Sequence, residues 1–224
     1  MTRTLRTLAA SLMGTSALAG METRAFEFTS GGAPMAGTLY TPEGHHGSAL
    51  PTVIVTGAWT SVQGQMPATY AAAMVEHGFA AVTFDFRGWG ASGDLPGAVR
   101  YKEDPQAKIE DIRAAIAAVQ SLPEVDGNTL HGLGICASAG YMVQATTGHP
   151  AIASVGLVAP WLQDQEIVEA VYGGPVGVAG LIDISRAAEA EGGVIIPAAG
   201  PEGADGVLMP IGGYYYEADR GAIP

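Results

Sequence analysis

The stretch from Leu130 to Tyr141 reads LHGLGICASAGY and decides the fold of this chain. An apolar run typical of a buried strand passes into a turn of small residues, and the segment after the turn has the composition of a helix. A tight strand-to-helix turn exposes the side chain at its apex, and the backbone N–H groups beyond it can stabilise a negatively charged oxygen. The stretch therefore predicts a nucleophile, with Cys136 and Ser138 as the two candidates.

The two candidates correspond to two registers of the pattern glycine, any residue, nucleophile, any residue, glycine. GICAS at 134–138 places Cys136 at the apex, with Ser138 where glycine is usual, whereas CASAG at 136–140 places Ser138 there and lacks the leading glycine. The first register leaves 129–135 as a strand of ordinary length. A thiol at the start of a helix is also partly ionised at neutral pH. We predict Cys136 as the nucleophile and Ser138 as the alternative; in a third interpretation Cys136 is an ordinary small buried residue.

A second motif supports the fold. Asp85–Gly93 reads DFRGWGASG and lies about 45 residues before the first stretch, in the pattern D-x-R-G-x-G-x-S. We expect Arg87 to pair with Asp85 or with backbone carbonyls, and the motif to be a structural turn with little bearing on catalysis. Together the two motifs resemble the α/β-hydrolases. With Gly57–Thr60 and Val158–Trp161, the chain is similar over about residues 24–224 to a bacterial group of uncharacterised α/β-hydrolases. A cysteine at the apex resembles the dienelactone-hydrolase branch, which implies an esterase-like hydrolase that cleaves small esters or related acyl bonds.

Alternating apolar runs and helical segments predict a mostly parallel sheet with helices on both faces, and the resemblance implies that this sheet has the α/β-hydrolase fold. The helices at 165–172 and 178–189 fall within 163–191, where this fold inserts a cap, so we expect cap helices there. The predicted strands are Arg24–Thr29, Ala36–Thr41, Thr52–Thr56, Ala80–Asp85, Thr129–Ile135 and Ile152–Val158. The predicted helices are Pro67–Glu76, Pro105–Leu122, Ala139–Thr147, Gln165–Tyr172 and Val178–Glu189.

Five further residues are predicted to complete the site. Ala137 follows the nucleophile and is expected to donate one N–H to the oxyanion. The second donor is expected from Ala58 or Trp59, in the turn after the strand that ends at 56. Trp161 and Tyr172 are predicted to line a substrate pocket.

The chain lacks a histidine where the resemblance implies one. The family order is nucleophile, acid, histidine, and members of the resembling group carry the last two on strands beyond this point. No histidine follows His149, and no acidic residue after the strand-to-helix turn at 134–138 (the elbow) precedes a histidine. We therefore expect the C-terminal strands of the fold to be missing and turnover to be weak or absent. The alternative is a non-catalytic, truncated or degenerate α/β-hydrolase-fold protein.

A minor alternative is a dinucleotide-binding oxidoreductase. GLGICA at 132–137 fits G-x-G-x-x-[GA] between a strand and a helix. However, the match lies in the fourth or fifth strand, and no acidic residue lies near position 155 to bind a ribose. We predict no cofactor. We also predict no metal, because the five histidines lack metal-ligand spacing. None is predicted to be the catalytic base, because they lie in a turn (His45, His46), at helix ends (His77, His149) or in a buried strand pointing away from the turn (His131).

Composition limits the partners. The formal net charge of −12 argues against nucleic acid and against anionic membrane surfaces. Residues 1–19 resemble a signal peptide, so the hydrolase domain is assigned to 20–224, secreted or periplasmic if the segment is cleaved and cytoplasmic otherwise. The expected partner is a small ester-like molecule, with self-association through an exposed edge strand as a further expectation.

Overall fold

One mixed sheet of six strands organises residues 20–45 and 47–191, the part of the chain that the computed structural model describes. The strands are β1 (Met21–Ser30), β2 (Ala33–Pro42), β3 (Leu50–Thr56), β4 (Ala80–Phe84), β5 (Val125–Ile135) and β6 (Ile152–Val158). The helices are α1 (Met66–Glu76), α2 (Pro105–Val119), α3 (Ser138–Thr146), α4 (Gln165–Val171) and α5 (Gly174–Ala190).

The strand order places the predicted site at one edge of the sheet. The order is β1-β2-β4-β3-β5-β6, with β1, β2 and β4 paired antiparallel in turn and the remaining neighbours parallel. The carboxyl ends of β3, β4, β5 and β6 therefore meet at the same edge, where open α/β sheets bind ligands. The predicted mostly parallel sheet is confirmed.

Helices cover both faces of the sheet, as predicted. Successive strand residues point to opposite faces, so Ile54 packs with α2 and α3 while Val55 packs with α1. Ile112 of α2 and Met142 of α3 are fully buried in the first layer, and Val75 of α1 lies in the second. Two apolar layers therefore hold the central strands rigidly, which is what a site at their ends requires.

The helix α2 begins where its sequence signals predict. The Asp104 carboxylate accepts hydrogen bonds from the Gln106 and Ala107 N–H groups, both at 3.1 Å, and Pro105 occupies the first turn. An extended residue with an acceptor side chain, followed by proline, is a strong start signal. This cap fixes the chain just before the helix, so it also fixes the position of Glu103.

The largest differences from the predicted boundaries are at the starts of β5 and α5, while β1, β2 and the end of α2 differ by three residues. β5 begins at Val125 rather than Thr129, because Val125 pairs with Leu50 across a register shift in the β3–β5 ladder. α5 begins at Gly174 rather than Val178, since Pro175 lies in its first turn, where a missing N–H costs no hydrogen bond.

β6, α4 and α5 form the least buried part of the described chain. Within it β6 pairs only with β5, and residues 153–157 are exposed. α4 and α5 bury no residue, and their role as a cap stays a prediction. None of the described helices is by itself long and apolar enough to cross a membrane; α4 and α5 taken together, across an 84° bend, satisfy length and composition. The predicted signal peptide at 1–19 lies outside the described residues.

A buried ion pair anchors the loop after β4. Arg87 donates from Nε to Asp111 Oδ1 at 2.7 Å and from its backbone N–H to Asp111 Oδ2 at 2.9 Å. It also donates to Glu110 and to Ser30, both at 3.0 Å. The partners expected from the sequence, Asp85 or backbone carbonyls, were wrong, because Arg87 turns toward α2. Burial raises the pKa of the Asp111 carboxyl, and the Ser30 and Arg87 groups oppose that rise.

Replacing Asp111 by asparagine is expected to destabilise the protein by about 2–4 kcal/mol, because Arg87 then keeps only the exposed Glu110 as a carboxylate partner and loses its buried one. Asp183→Asn is the matched control, since Asp183 is exposed and lies 3.8 Å from Arg186; a change below about 0.5 kcal/mol is expected there. Urea unfolding of both variants measures the difference. Equal effects would contradict an anchoring role for the Arg87–Asp111 pair.

Candidate active site

Cys136 lies at the apex of the turn between β5 and α3 with a left-handed backbone, φ 56°. This conformation is uncommon for any residue with a side chain. Three backbone hydrogen bonds fix it: the Cys136 N–H donates to Val158 O at 3.0 Å, and the Cys136 carbonyl accepts from Ala139 at 3.1 Å and from Trp161 at 3.0 Å. Cys136 as a residue is half-buried, and it packs against the apolar layer on the α1 side of the sheet. The turn therefore presents the sulfur at the strand edge.

The glycines before the turn let α3 pack closely on β5. A Cβ on Gly134 would lie 2.7 Å from Ala139 Cα, and a Cβ on Gly132 would lie 2.6 Å from Met142 Sδ. Both separations are far below normal contact distance, so only glycine fits without movement. The space beside these glycines is filled by the chain's own helix. Helix packing thus explains the pattern that resembled a dinucleotide-binding motif.

Ser138, the alternative nucleophile, lies in the first turn of α3 and is 1% exposed. Its hydroxyl donates to the Ile135 carbonyl at 3.0 Å and accepts from the Ile135 N–H at 3.1 Å. The hydroxyl therefore both donates and accepts a hydrogen bond that closes the turn. In this arrangement Ser138 stabilises the backbone on which Cys136 is displayed.

The predicted oxyanion donors lie on two loops beside the thiol. In the described part of the chain, the N–H groups of Ala137 and Trp59 have no hydrogen-bond partner, whereas the Ala58 N–H donates to Met66 Sδ at 3.4 Å. The loop after β3 is tied down by Asp85, whose Oδ1 accepts from the Gln63 N–H at 2.7 Å. A sulfur acceptor is weak, so Ala58 stays a possible donor beside Trp59.

A cleft of about 460 Å³ opens at this edge. It brings together three of the predicted site residues, Trp59, Ala137 and Trp161. Cys136, Ser138 and Ala58 do not line it themselves, although Cys136 is the neighbour of Ala137, and Tyr172 lies at the end of α4, outside the lining. The prediction for Tyr172 therefore finds no support in this cleft. The other lining residues are Glu103, Pro105, Ile109, Gly140, Tyr141, Gln144, Leu162 and Gln163.

The sequence analysis missed a polar cluster at the wall of the cleft. Lys108 Nζ donates to both Glu103 oxygens, at 2.8 and 2.7 Å, and Tyr141 Oη donates to Glu103 Oε1 at 3.0 Å. Lys108 shares a helix face with Ile112 and Ala115, which are buried in the core. A lysine at apolar helix spacing was thus the signal that a carboxylate partner lay nearby.

Burial shapes the ionisation of this cluster. It lowers the pKa of Lys108, and the Glu103 carboxylate opposes the shift. Burial also raises the pKa of the Tyr141 phenol, and the charges of Glu103 and Cys136 raise it further. Tyr141 is therefore a neutral hydrogen-bond donor at physiological pH.

The described histidines are engaged away from the cleft. His131 Nδ1 lies 2.8 Å from Ser154 Oγ, and His149 Nδ1 accepts from the Ala151 N–H at 3.3 Å. His45 accepts from the Gly47 N–H at 3.2 Å, and His77 ends α1. His46 lies outside the described residues. Across 20–45 and 47–191, no group of three or more His, Cys, Asp or Glu side chains is placed to hold a metal ion.

Comparison with known proteins gives relatives rather than a family model, since no family model matches the chain. An uncharacterized protein of Pseudomonas aeruginosa, PA2218, is 33% identical over 114 residues, which are 51% of this chain and 30% of that protein. The crystal structure of PA2218 superposes with a TM-score of 0.67 at 25% identity, over 83% of this chain and 60% of that one. The chain thus spans less than two thirds of this relative.

Two solved hydrolases share the fold. An acetyl xylan esterase from Paenibacillus sp. R4 has a TM-score of 0.60 at 21% identity, over 81% of this chain and 62% of that one. A dienelactone-hydrolase-like promiscuous phosphotriesterase, P91, from metagenomic libraries has a TM-score of 0.53 at 22% identity, over 63% and 60%. The described residues therefore have the α/β-hydrolase fold. The fold of both neighbours agrees with the α/β-hydrolase resemblance seen in the sequence.

Gly134→Ala is expected to destabilise the protein by about 2 kcal/mol or more, because the new methyl group meets the backbone of α3. Gly180→Ala is the control, because a Cβ at Gly180, within α5, meets no atom within 4 Å. Alanine there is expected to raise the free energy of unfolding by at most about 1 kcal/mol. Chemical unfolding measures both. A stabilising Gly134→Ala would contradict the close approach of β5 and α3.

Proposed function

We propose that this protein is a cysteine-dependent hydrolase of small esters or related acyl compounds, with Cys136 as the nucleophile. The observation that supports the proposal is the left-handed Cys136 at the strand-to-helix turn, beside a cleft that Ala137 and Trp59 line. Strained backbone of this kind persists where the surrounding structure enforces it, and it is concentrated at functional sites. Ser138 is the weaker candidate, because its hydroxyl is buried and doubly hydrogen-bonded to Ile135.

The first chemical step is acylation of the sulfur. The Cys136 thiolate attacks the carbonyl carbon, a C–S bond forms, and the carbonyl oxygen gains a negative charge. The N–H groups of Ala137 and of Trp59 or Ala58 stabilise that oxyanion. The oxyanion then collapses, the C–O bond to the alcohol breaks, and the proton that left the thiol goes to the departing alkoxide.

The second step is hydrolysis of the thioester by water, which releases the acid and returns the thiol. This step needs a base that takes a proton from water. None of the described histidines lines the cleft, so we expect deacylation to be slow. Acylation is therefore the step that tests the function of this chain directly.

The neighbours in structure support an ester as the substrate class. One is named as an acetyl xylan esterase and another as a phosphotriesterase, and both names describe ester cleavage. The cleft volume of about 460 Å³ lies in the range of small-molecule sites. Its walls contain Trp59, Trp161 and Leu162, which favour an acyl or alcohol group with an apolar surface.

Incubation with p-nitrophenyl acetate is expected to release p-nitrophenolate in a burst and to leave one acetyl group on the protein. Intact mass spectrometry detects the acetyl group, and peptide mapping locates it at Cys136. Cys136→Ala is expected to abolish both signals. Slow deacylation makes the acyl-enzyme accumulate, because the thioester forms faster than water removes it.

Ser138→Ala is the matched comparison, since it removes the other candidate in the same turn. It is expected to keep the acetyl group at Cys136 and to lose about 1–2 kcal/mol of stability, because Ile135 loses two hydrogen bonds. An adduct on Ser138 in the unmodified chain, or burst kinetics that survive Cys136→Ala, would exclude Cys136 as the nucleophile.

A further inference from the structure

The cleft beside Cys136 has a carboxylate in its wall. Glu103 lines the cleft together with Tyr141 and Ala137. Its side chain is 17% exposed. The Asp104 cap at the start of α2 holds the backbone here, and the Tyr141 phenol holds one of the carboxylate oxygens. Glu103 therefore presents a fixed acceptor to whatever occupies the cleft.

The cation that pairs with Glu103 is Lys108, which does not line the cleft. Its side chain is 3% exposed. Its ammonium lies 4.8 Å from the centre of the Phe86 ring and 5.0 Å from that of Trp89, so aromatic faces enclose it on the core side. A molecule in the cleft thus meets the carboxylate oxygens before it meets the ammonium.

The described residues that line the cleft supply no positive charge of their own. Within the described part of the chain, the lining contains no lysine, arginine or histidine, and its remaining polar side chains are the neutral Gln144 and Gln163. The formal charge of the whole chain, −12, acts in the same direction over longer distances.

We propose that Glu103 is a specificity-determining residue that makes the cleft select against negatively charged acyl groups. Esters whose acyl group is uncharged or cationic reach Cys136, and esters that carry a second carboxylate near the carbonyl are rejected. This inference rests on the proposed function, because the selectivity concerns the molecules that reach the nucleophile. A hydroxyl or ammonium on the accepted acyl group would donate to Glu103.

The expected discrimination against anionic acyl groups follows from charge repulsion between the acyl group and Glu103. Two like charges several ångströms apart, in surroundings of effective dielectric about 20, repel strongly enough to change a rate by an order of magnitude. Lys108 reduces this repulsion, and we expect it not to cancel it, because Glu103 lines the cleft and Lys108 does not. We therefore expect discrimination of about 10-fold, which corresponds to about 1.4 kcal/mol.

Alkylation of Cys136 tests the selectivity without requiring turnover. Iodoacetamide and iodoacetate have nearly the same size, and they differ in charge. The ratio of their rate constants at Cys136, amide over acetate, is expected to exceed the ratio measured for a free cysteine peptide by about 10-fold. Glu103→Gln combined with Lys108→Met removes both charges and is expected to bring the ratio to within about 3-fold of the peptide value. The double change avoids leaving a buried ammonium unpaired.

Glu27→Gln is the matched control, because Glu27 is exposed on β1 at the opposite end of the sheet. It removes the same charge and is expected to leave the ratio unchanged. A wild-type ratio equal to that of the peptide, or a high ratio that survives the double change, would overturn the role of Glu103 while the proposed function stands. If neither reagent labels Cys136 in the folded protein, the proposed nucleophile is itself wrong.

Discussion

The left-handed backbone of Cys136 is the constraint on which the site depends. It is maintained from β6, whose Val158 accepts the Cys136 N–H and is followed by Trp161, which donates to the Cys136 carbonyl. All four non-glycine residues with positive φ in the described chain follow strands that end at this edge: Thr60 after β3, Tyr101 after β4, Cys136 after β5 and Ala159 after β6. Backbone strain is therefore concentrated where four loops meet, and the packed sheet beneath them opposes its release.

The loop after β4 couples the fold to the chemistry. The Asp85 carboxylate accepts hydrogen bonds from Gln63, on the loop after β3, and from the Ala91 N–H in its own loop. The same loop leads through Tyr101 to Glu103 and α2, and Arg87 anchors it to Asp111. The motif that identified the fold thus also holds two walls of the cleft, although the sequence suggested a turn with little bearing on catalysis.

The sequence predicted the helices and strands whose apolar residues recur with a clear helical or strand period. It also predicted the elbow, because the strand, the glycine and the small residues of the turn are contiguous there. It did not predict the cluster of Glu103, Lys108 and Tyr141, whose members lie on a loop and two helices. Only packing of α2 against α3 brings them together. The partner of Arg87 was wrong for the same reason, since contiguous motifs show which residues are present and not which way a long side chain turns. Tyr172 was expected beside the cleft because α4 follows β6, yet α4 buries none of its residues.

The selectivity of the cleft follows from how α2 packs. Lys108 occupies a buried position in this helix, where an isolated ammonium would be costly, and Glu103 supplies the charge that makes its burial tolerable. That pairing requires the carboxylate to stand outside the ammonium, because the core side of Lys108 is closed by Phe86 and Trp89. The carboxylate then forms part of the cleft wall beside the elbow. The need to pair buried Lys108 therefore places a negative charge in the cleft wall. Any redesign of this site has to change Glu103 and Lys108 together.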